Sequence, residues 1–349
     1  MKIHEKYISR CIQLAKNGLG TTFPNPMVGS VIVHKGKIIG EGYTSPYGGA
    51  HAEVNAVNSV KDKKLLTEVT LYVTLEPCSH YGKTPPCADL IIKHQIPNVV
   101  IGLLDPHEKV AGKGVEKLKA AGCNVIVGVL EKECREHHKR FLTYHIKKRP
   151  YIILKWAETA DGFIAPSQDK RRNNPEPYWI SNPYSQQLVH QWRSQEQAIL
   201  VGTNTVLADN PKLNVRHWKG QNPIRIVLDR ELKISNKHNV LDGSIKTIII
   251  TAHLPKNPQH GITYEVIDFE NNLAIQICTI LHKHEILSVI IEGGAKTLQS
   301  FIDSQLWDEA RIFKGKDQFE EGLKSPRIHG FLEKETQIES DILTLLKHD

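Results

Sequence analysis

Residues 49–88 read GAHAEVNAVNSVKDKKLLTEVTLYVTLEPCSHYGKTPPCA, and the N-terminal half of the chain is organised around them. Ala52 to Val60 has the pattern of a helix, LYVTL (71–75) that of a buried strand, and Ala88 to His94 that of a second helix. His51 falls just before the first helix. Cys78 follows the strand after Glu76 and Pro77, and Cys87 opens the second helix. Helix N-termini favour thiolates. One imidazole and two thiols placed this way are the ligands of a catalytic zinc site: His51, Cys78 and Cys87, with a fourth position left open for water.

The residue types suit one another chemically. Two thiolates and a neutral imidazole balance Zn²⁺, so the metal is held tightly yet still acidifies bound water towards neutral pH. Glu53 is expected beside that water, carrying its proton to the substrate nitrogen and leaving amine. The reaction predicted is hydrolytic deamination by zinc hydroxide. H-x-E followed by P-C-x-x-C is a known signature of zinc deaminases; here eight residues separate the two cysteines where that pattern has two. Either half alone is weak evidence, because a chain with 18 His meets H-x-E by chance. The strand, helices and framing prolines make the ensemble specific.

At 349 residues, 40 % hydrophobic and 24 % charged, the chain is long enough for two globular domains with separate cores. The N-terminus MKIHEKYISRCIQLAKNG has charges throughout and no apolar core of a signal peptide, and no stretch is long enough to cross a bilayer. A cytoplasmic protein with no membrane partner is expected. Six cysteines do not form a disulfide framework in a chain this long; four are read as reduced thiols. The net charge of +7 is scattered among acids, which suits small anionic substrates as well as nucleic acid.

In chain order, residues 3–17 predict a helix stopped by Gly18 and Gly20, and a hairpin turning at Lys35 and Gly36 follows Asn25 in a proline-fixed loop. A helix at 112–122, the strand NVIVGV and one charged helix from Glu131 to His145 complete an α/β domain, taken as residues 1–146. HIKKRP (145–150) is read as a solvated linker into a second α/β domain, 147–349. Its strands are expected at 151–157, 198–201, 224–228, 247–251 and 288–291. No G-x-G-x-x-G occurs; the phosphate-binding candidate is IIEGGAKTL, a strand ending in Glu292, Gly293 and Gly294, then a helix start.

Together, NPMVG (25–29), HAEVNA, EPCSHYGKTPPC, VAGKG, LKWAETADGFIA, AILVGTNTVLADNPKLNVR, RIVLD and EGGAKTL resemble the bifunctional deaminase/reductase family of riboflavin biosynthesis over nearly the whole chain. The resemblance implies a cytidine-deaminase-like domain followed by a dihydrofolate-reductase-like one, both three-layer α/β. It implies zinc-dependent deamination of 2,5-diamino-6-ribosylamino-4(3H)-pyrimidinone 5′-phosphate, then NADPH reduction of the ribosyl to a ribityl chain. By the same resemblance Asn25, His80 and Lys83 contact the pyrimidine nucleotide. Lys155 and Glu292 serve reduction. Ser181, Arg193, Leu213, Arg216 and Glu292 bind substrate, and Ala157, Trp179, Thr205, Asp209, Gly293, Gly294, Ala295, Lys296 and Thr297 bind cofactor. The two arginines suit a phosphate, against a surface salt bridge as the bland reading. Thr44, His107, Glu108 and Pro177 depart from the family pattern, and a polar insertion near 167–176 lengthens the loop before Trp179.

Two rivals belong to other classes. A nucleic-acid-editing deaminase would need a basic footprint and stacking platforms, yet only 7 % of residues are aromatic and none cluster with the basic ones. A structural zinc module would need a fourth protein ligand, for which His80 is the candidate. No nucleic-acid partner is expected, and a homo-oligomer is compatible with the sequence.

Overall fold

The computed structural model describes residues 2–81, 85–106, 112–167, 169 and 176–348. The chain divides into two compact units, Met1–Lys148 and Arg149–Asp349.

In the first unit, α1 (Lys2–Ala15) precedes the hairpin β1 (Gly29–His34) and β2 (Lys37–Tyr43). Lys35 and Gly36 both have positive φ, 46° and 78°, as a two-residue turn matching strand twist requires. α2 (Ala52–Ser59), β3 (Thr70–Val73), α3 (Cys87–Lys93), β4 (Asn98–Ile101), α4 (Lys113–Ala120) and β5 (Asn124–Val127) follow. The sheet order is β2-β1-β3-β4-β5, antiparallel in its first three strands and parallel beyond. Two close approaches set the layers. A Cβ at Gly29 would lie 1.9 Å from the Cys11 carbonyl oxygen of α1, and one at Gly42 would lie 2.3 Å from the Ala56 nitrogen of α2. Gly42 pairs with Ser30, the neighbour of Gly29. Successive residues of a strand face opposite ways, so α1 and α2 cover opposite faces.

The charged stretch expected as one helix is two, α5 (Glu131–His137) and α6 (Lys139–Lys147). Both residues at the break are anchored by their rings. His137 Nε2 lies 2.8 Å from the Met27 carbonyl oxygen, and buried His138 has Nε2 3.1 Å from Thr74 Oγ1. Charge periodicity carries no trace of such anchors. α6 runs on to Lys147 and ends at Lys148 in the left-handed conformation, so the first unit extends two residues beyond the expected boundary. Nor is HIKKRP all solvated: Arg149 is buried and forks onto Asp308 at 2.5 and 2.9 Å, contacts within the second unit.

The second unit contains β6 (Tyr151–Glu158), β7 (Phe163–Pro166), α7 (Pro183–Gln195), β8 (Ala198–Gly202), α8 (Thr203–Asp209), β9 (Ile224–Leu228), β10 (Thr247–Thr251), β11 (Ile262–Val266), α9 (Leu273–Lys283), β12 (Ser288–Glu292), α10 (Ala295–Asp303) and β13 (Glu309–Lys314). β14 (Gly322–Lys324), β15 (Phe331–Ile338) and β16 (Asp341–Lys347) end it. The main sheet runs β11-β10-β9-β8-β12-β6-β13-β16-β15, parallel as far as β13; β7 and β14 pair separately. Its central strands are apolar on both faces. Ile152, Leu154, Leu200 and Ile226 pack on one side with Ile277 and Phe301 of α9 and α10. Tyr151 and Ile153 meet Val189 and Trp192 of α7 on the other, while Ile199 and Val201 meet Val206 of α8. This is again three layers, and continuous apolar runs are what strands covered on both faces require.

Candidate active sites

In the first unit, His51 is the residue from which α2 starts and Cys87 the first residue of α3. β3 ends at Val73, earlier than the LYVTL run suggests, and Cys78 lies in the loop beyond it. The Cys78 carbonyl accepts the Ala88 N–H at 3.1 Å, and Cys78 Sγ accepts the Cys87 N–H at 3.3 Å, which folds the loop back onto α3. His51 Nδ1 stands 3.6 Å from Cys78 Sγ and 3.3 Å from Cys87 Sγ. All three ligand atoms lie within 4.8 Å of one another. A nitrogen and two sulfurs at this separation fit a tetrahedral zinc with one position to spare.

The electrostatics agree with that donor set. A hydrogen bond from Cys87, helped by His51, lowers the Cys78 thiol to about 4, while the same bond and burial raise Cys87. Glu53, one residue into α2, is 4 % exposed, and burial, then the Cys78 charge, push its carboxyl up to about 7. His80, weighed as a fourth ligand, is exposed and stands outside the cluster. Asn25 is half-buried in the loop before β1; Lys83 lies outside the described residues, as do His107, Glu108 and most of the 167–176 insertion. Thr44 is buried, its Oγ1 accepting the Val28 N–H at 3.0 Å.

One residue of this region had no role in the sequence reading. The buried Glu76 carboxylate accepts backbone N–H groups of Asp105 (3.2 Å), Gly112 (3.0 Å) and Val115 (3.1 Å), tying the 105–115 segment to the Cys78 loop. The available signal was an acid closing an apolar run immediately before proline.

In the second unit, a cavity of about 1280 Å³ opens at the carboxyl ends of β6, β8 and β12, where ligands of parallel sheets bind. Register places Lys155 beside Glu292 on adjacent strands. α7 begins because Asn182 accepts the N–H groups of Tyr184 and Ser185, both at 3.0 Å, with Pro183 following. The helix turns Arg193 onto Glu292 as a bidentate pair at 3.1 and 2.7 Å. Both side chains are nearly buried, so this is not the surface salt bridge of the bland reading. Burial raises the Glu292 carboxyl, but Arg193 and Lys155 outweigh it and hold it at about 2. Burial lowers Lys155.

Gly293 and Gly294 have φ of 72° and 65°, and a Cβ on either would come within 3.3 Å of Thr205 Oγ1. They form a side-chain-free cradle between α8 and the start of α10, suited to a phosphate. Ala157, Trp179, Ser181, Thr205, Asp209, Leu213 and Arg216 also line the cavity, as do Lys155, Arg193, Glu292 and both glycines. Ala295, Lys296 and Thr297 begin α10 beside it without lining it, and Lys296 is exposed. Pro177 is on the rim. The sequence reading also passed over His190, a buried ring on α7 that faces the same cavity.

Residues 1–103 match the model of the cytidine and deoxycytidylate deaminase zinc-binding region, and residues 150–315 that of the RibD C-terminal domain. The riboflavin biosynthesis protein RibD of Aquifex aeolicus is 40 % identical over 328 residues, 92 % of this chain and 89 % of that protein. Its Escherichia coli counterpart is 34 % identical over 325 residues, 88 % and 86 % of the two chains. Among solved structures, the Thermotoga maritima diaminohydroxyphosphoribosylaminopyrimidine deaminase/5-amino-6-(5-phosphoribosylamino)uracil reductase superposes with a TM-score of 0.88 at 36 % identity, covering 100 % of this chain and 99 % of that one. Acinetobacter baumannii RibD gives 0.88 at 31 % identity, with 99 % of each chain covered. With both family models matched in order and identity sustained along nearly its full length, this chain belongs to the RibD family, bifunctional enzymes of riboflavin biosynthesis that join a zinc-dependent deaminase to an NADPH-dependent reductase.

Proposed function

We propose that the two sites act in succession on one pyrimidine nucleotide, 2,5-diamino-6-ribosylamino-4(3H)-pyrimidinone 5′-phosphate. The observation that carries the deaminase half is the convergence of His51, Cys78 and Cys87 with the buried Glu53 carboxyl, which lies in the first turn of α2 and hydrogen-bonds with Cys87. Zinc held by those three ligands supplies the Lewis acidity that activates water. Glu53 takes a proton and returns it to the ring nitrogen and the departing amine; a carboxyl that titrates near neutrality serves both directions. Asn25, His80 and Lys83 are the proposed contacts to the nucleotide.

In the reductase half, NADPH supplies the hydride. The cradle of Gly293, Gly294 and Thr205, with Ala295, Lys296 and Thr297 behind it, is proposed to seat a cofactor phosphate, and Ala157, Trp179 and Asp209 to flank the cofactor. Reduction of the opened ribose adds one proton with the hydride, and we assign that proton to Lys155, whose burial makes its ammonium a readier acid. Glu292 stays ionised and accepts a ribose hydroxyl, while Ser181, Arg193, Leu213 and Arg216 surround the substrate. We place this activity in the cytoplasm, with a small-molecule partner and no nucleic acid; self-association is compatible with it. None of the helices in the described residues is long and apolar enough to cross a membrane. The test is to incubate the chain with the diaminopyrimidinone nucleotide, with and without NADPH, and identify the products. A deaminated nucleotide without NADPH and its ribityl form with NADPH are expected; unchanged nucleotide in both sinks the reading.

A further inference from the structure

One corner of the reductase cavity holds a buried polar side chain to which neither reaction step assigns work. His190 is 3 % exposed yet lines the cavity, three residues before Arg193 on the same face of α7. Its Nδ1 accepts the backbone N–H of Arg216 at 3.4 Å, which sets the tautomer: the ring proton sits on Nε2. Nε2 has no protein partner among the described residues, which leaves its N–H available on a ring that lines the cavity. Burial first, then Arg193, Arg216 and His217, lower the ring to about 4 against the opposing pull of Glu292, and His190 stays neutral near pH 7.

The two arginines beside it are not equivalent. Arg193 commits Nε and Nη2 to Glu292 and Nη1 to the Asn214 carbonyl oxygen at 3.4 Å. Arg216 donates from Nη1 to Asn214 Oδ1 at 3.3 Å and has no carboxylate within ion-pairing distance among the described residues. An anion entering this corner therefore meets the open face of Arg216 and the Nε2–H of His190, whereas the Arg193 fork is taken. The ring also holds the Arg216 backbone, so one side chain aims the cation and adds a neutral donor next to it.

Resting on the reductase reading above, we propose that His190 is a specificity-determining residue: with Arg216 it binds the substrate's phosphate through Nε2–H, and Arg193 serves to hold Glu292. The phosphate concerned is that of the substrate, not one of NADPH.

Two variants separate the two ring nitrogens. His190→Asn keeps an acceptor near the place of Nδ1 and loses the far donor; His190→Gln carries an amide N–H to the place of Nε2. A hydrogen bond to a charged group is worth about 1.5–3 kcal/mol, so H190N should raise KM for the deaminated nucleotide about 10- to 100-fold, with kcat and the KM for NADPH little changed. H190Q should recover most of the loss, which a merely unfolded variant could not do. Ribose 5-phosphate should compete with the nucleotide in the unsubstituted enzyme and far more weakly in H190N, whereas ribose should behave alike in both. A rise in KM for NADPH instead would assign the donor to the cofactor and overturn the proposal, as would unchanged competition by ribose 5-phosphate. Should the unsubstituted enzyme bind ribose 5-phosphate but fail to reduce the nucleotide, the reductase reading falls while the phosphate site stands.

Discussion

Glu53 and Glu292 are both buried acids, and their surroundings drive them apart: one is pushed up to about 7, the other held at about 2. Groups so separated take different work. Glu53→Gln keeps side-chain size and leaves the three zinc ligands untouched, so zinc content should be unchanged while deamination falls by about 10² to 10⁴, the usual worth of acid–base catalysis. Supplied with deaminated nucleotide, the same variant should oxidise NADPH at close to the normal rate; collapse of that rate in a folded, zinc-loaded protein would undo the two-site reading. Glu292 carries a pH signature. Its folded pKa lies below its ordinary value of 4.5, so its contribution to stability is complete above that value and is lost as pH falls towards about 2. The stability gap between the unsubstituted chain and Glu292→Gln should narrow over that interval in acid-titrated denaturant unfolding of the reductase unit. Arg193→Met, which strands the carboxylate, should cost about 3–5 kcal/mol in the same measurement.

At the scale of elements, the candidate residues collect where helices begin. His51 and Cys87 open α2 and α3, and the two glycines precede α10. Gly294→Val tests the cradle, because a β-branched residue at φ 65° is strained and its Cβ would stand 3.3 Å from Thr205 Oγ1. Backbone strain of this kind costs about 1–3 kcal/mol; the more telling effect expected is a large rise in KM for NADPH with deamination and zinc content preserved. Steady-state kinetics at varied NADPH check it, and an unaltered KM would remove the cradle from the cofactor site. The break between α5 and α6 belongs to the same scale, since helical periodicity continues across His137 and His138 while their rings are held by Met27 and Thr74.

For the whole molecule, each unit has its own sheet and its own core, and the sites draw on separate residues. Cys87→Ser should therefore lose zinc and deamination together while reduction of supplied deaminated nucleotide persists. Metal analysis of the unsubstituted protein should find one zinc per chain: among the described residues His51, Cys78 and Cys87 are the one group with ligand atoms so placed.

The sequence by itself determined what is local. Alternating and continuous apolar runs identified the five strands of the first sheet and β6, β8, β9, β10 and β12 of the second but not β11, β13, β15 or β16; Lys35 and Gly36 marked the hairpin turn, and H-x-E with two proline-framed cysteines the metal and its ligands, because period, turn chemistry and donor type are properties of neighbouring residues. Tertiary structure alone decided which distant groups meet. Arg193 finds Glu292 across 99 positions, and Glu76 finds Val115 across 39; Arg149, written inside a basic run, is buried on Asp308. A charge has no period, and its partner is chosen by how the layers pack, so the availability of each arginine could be read only once the chain was folded.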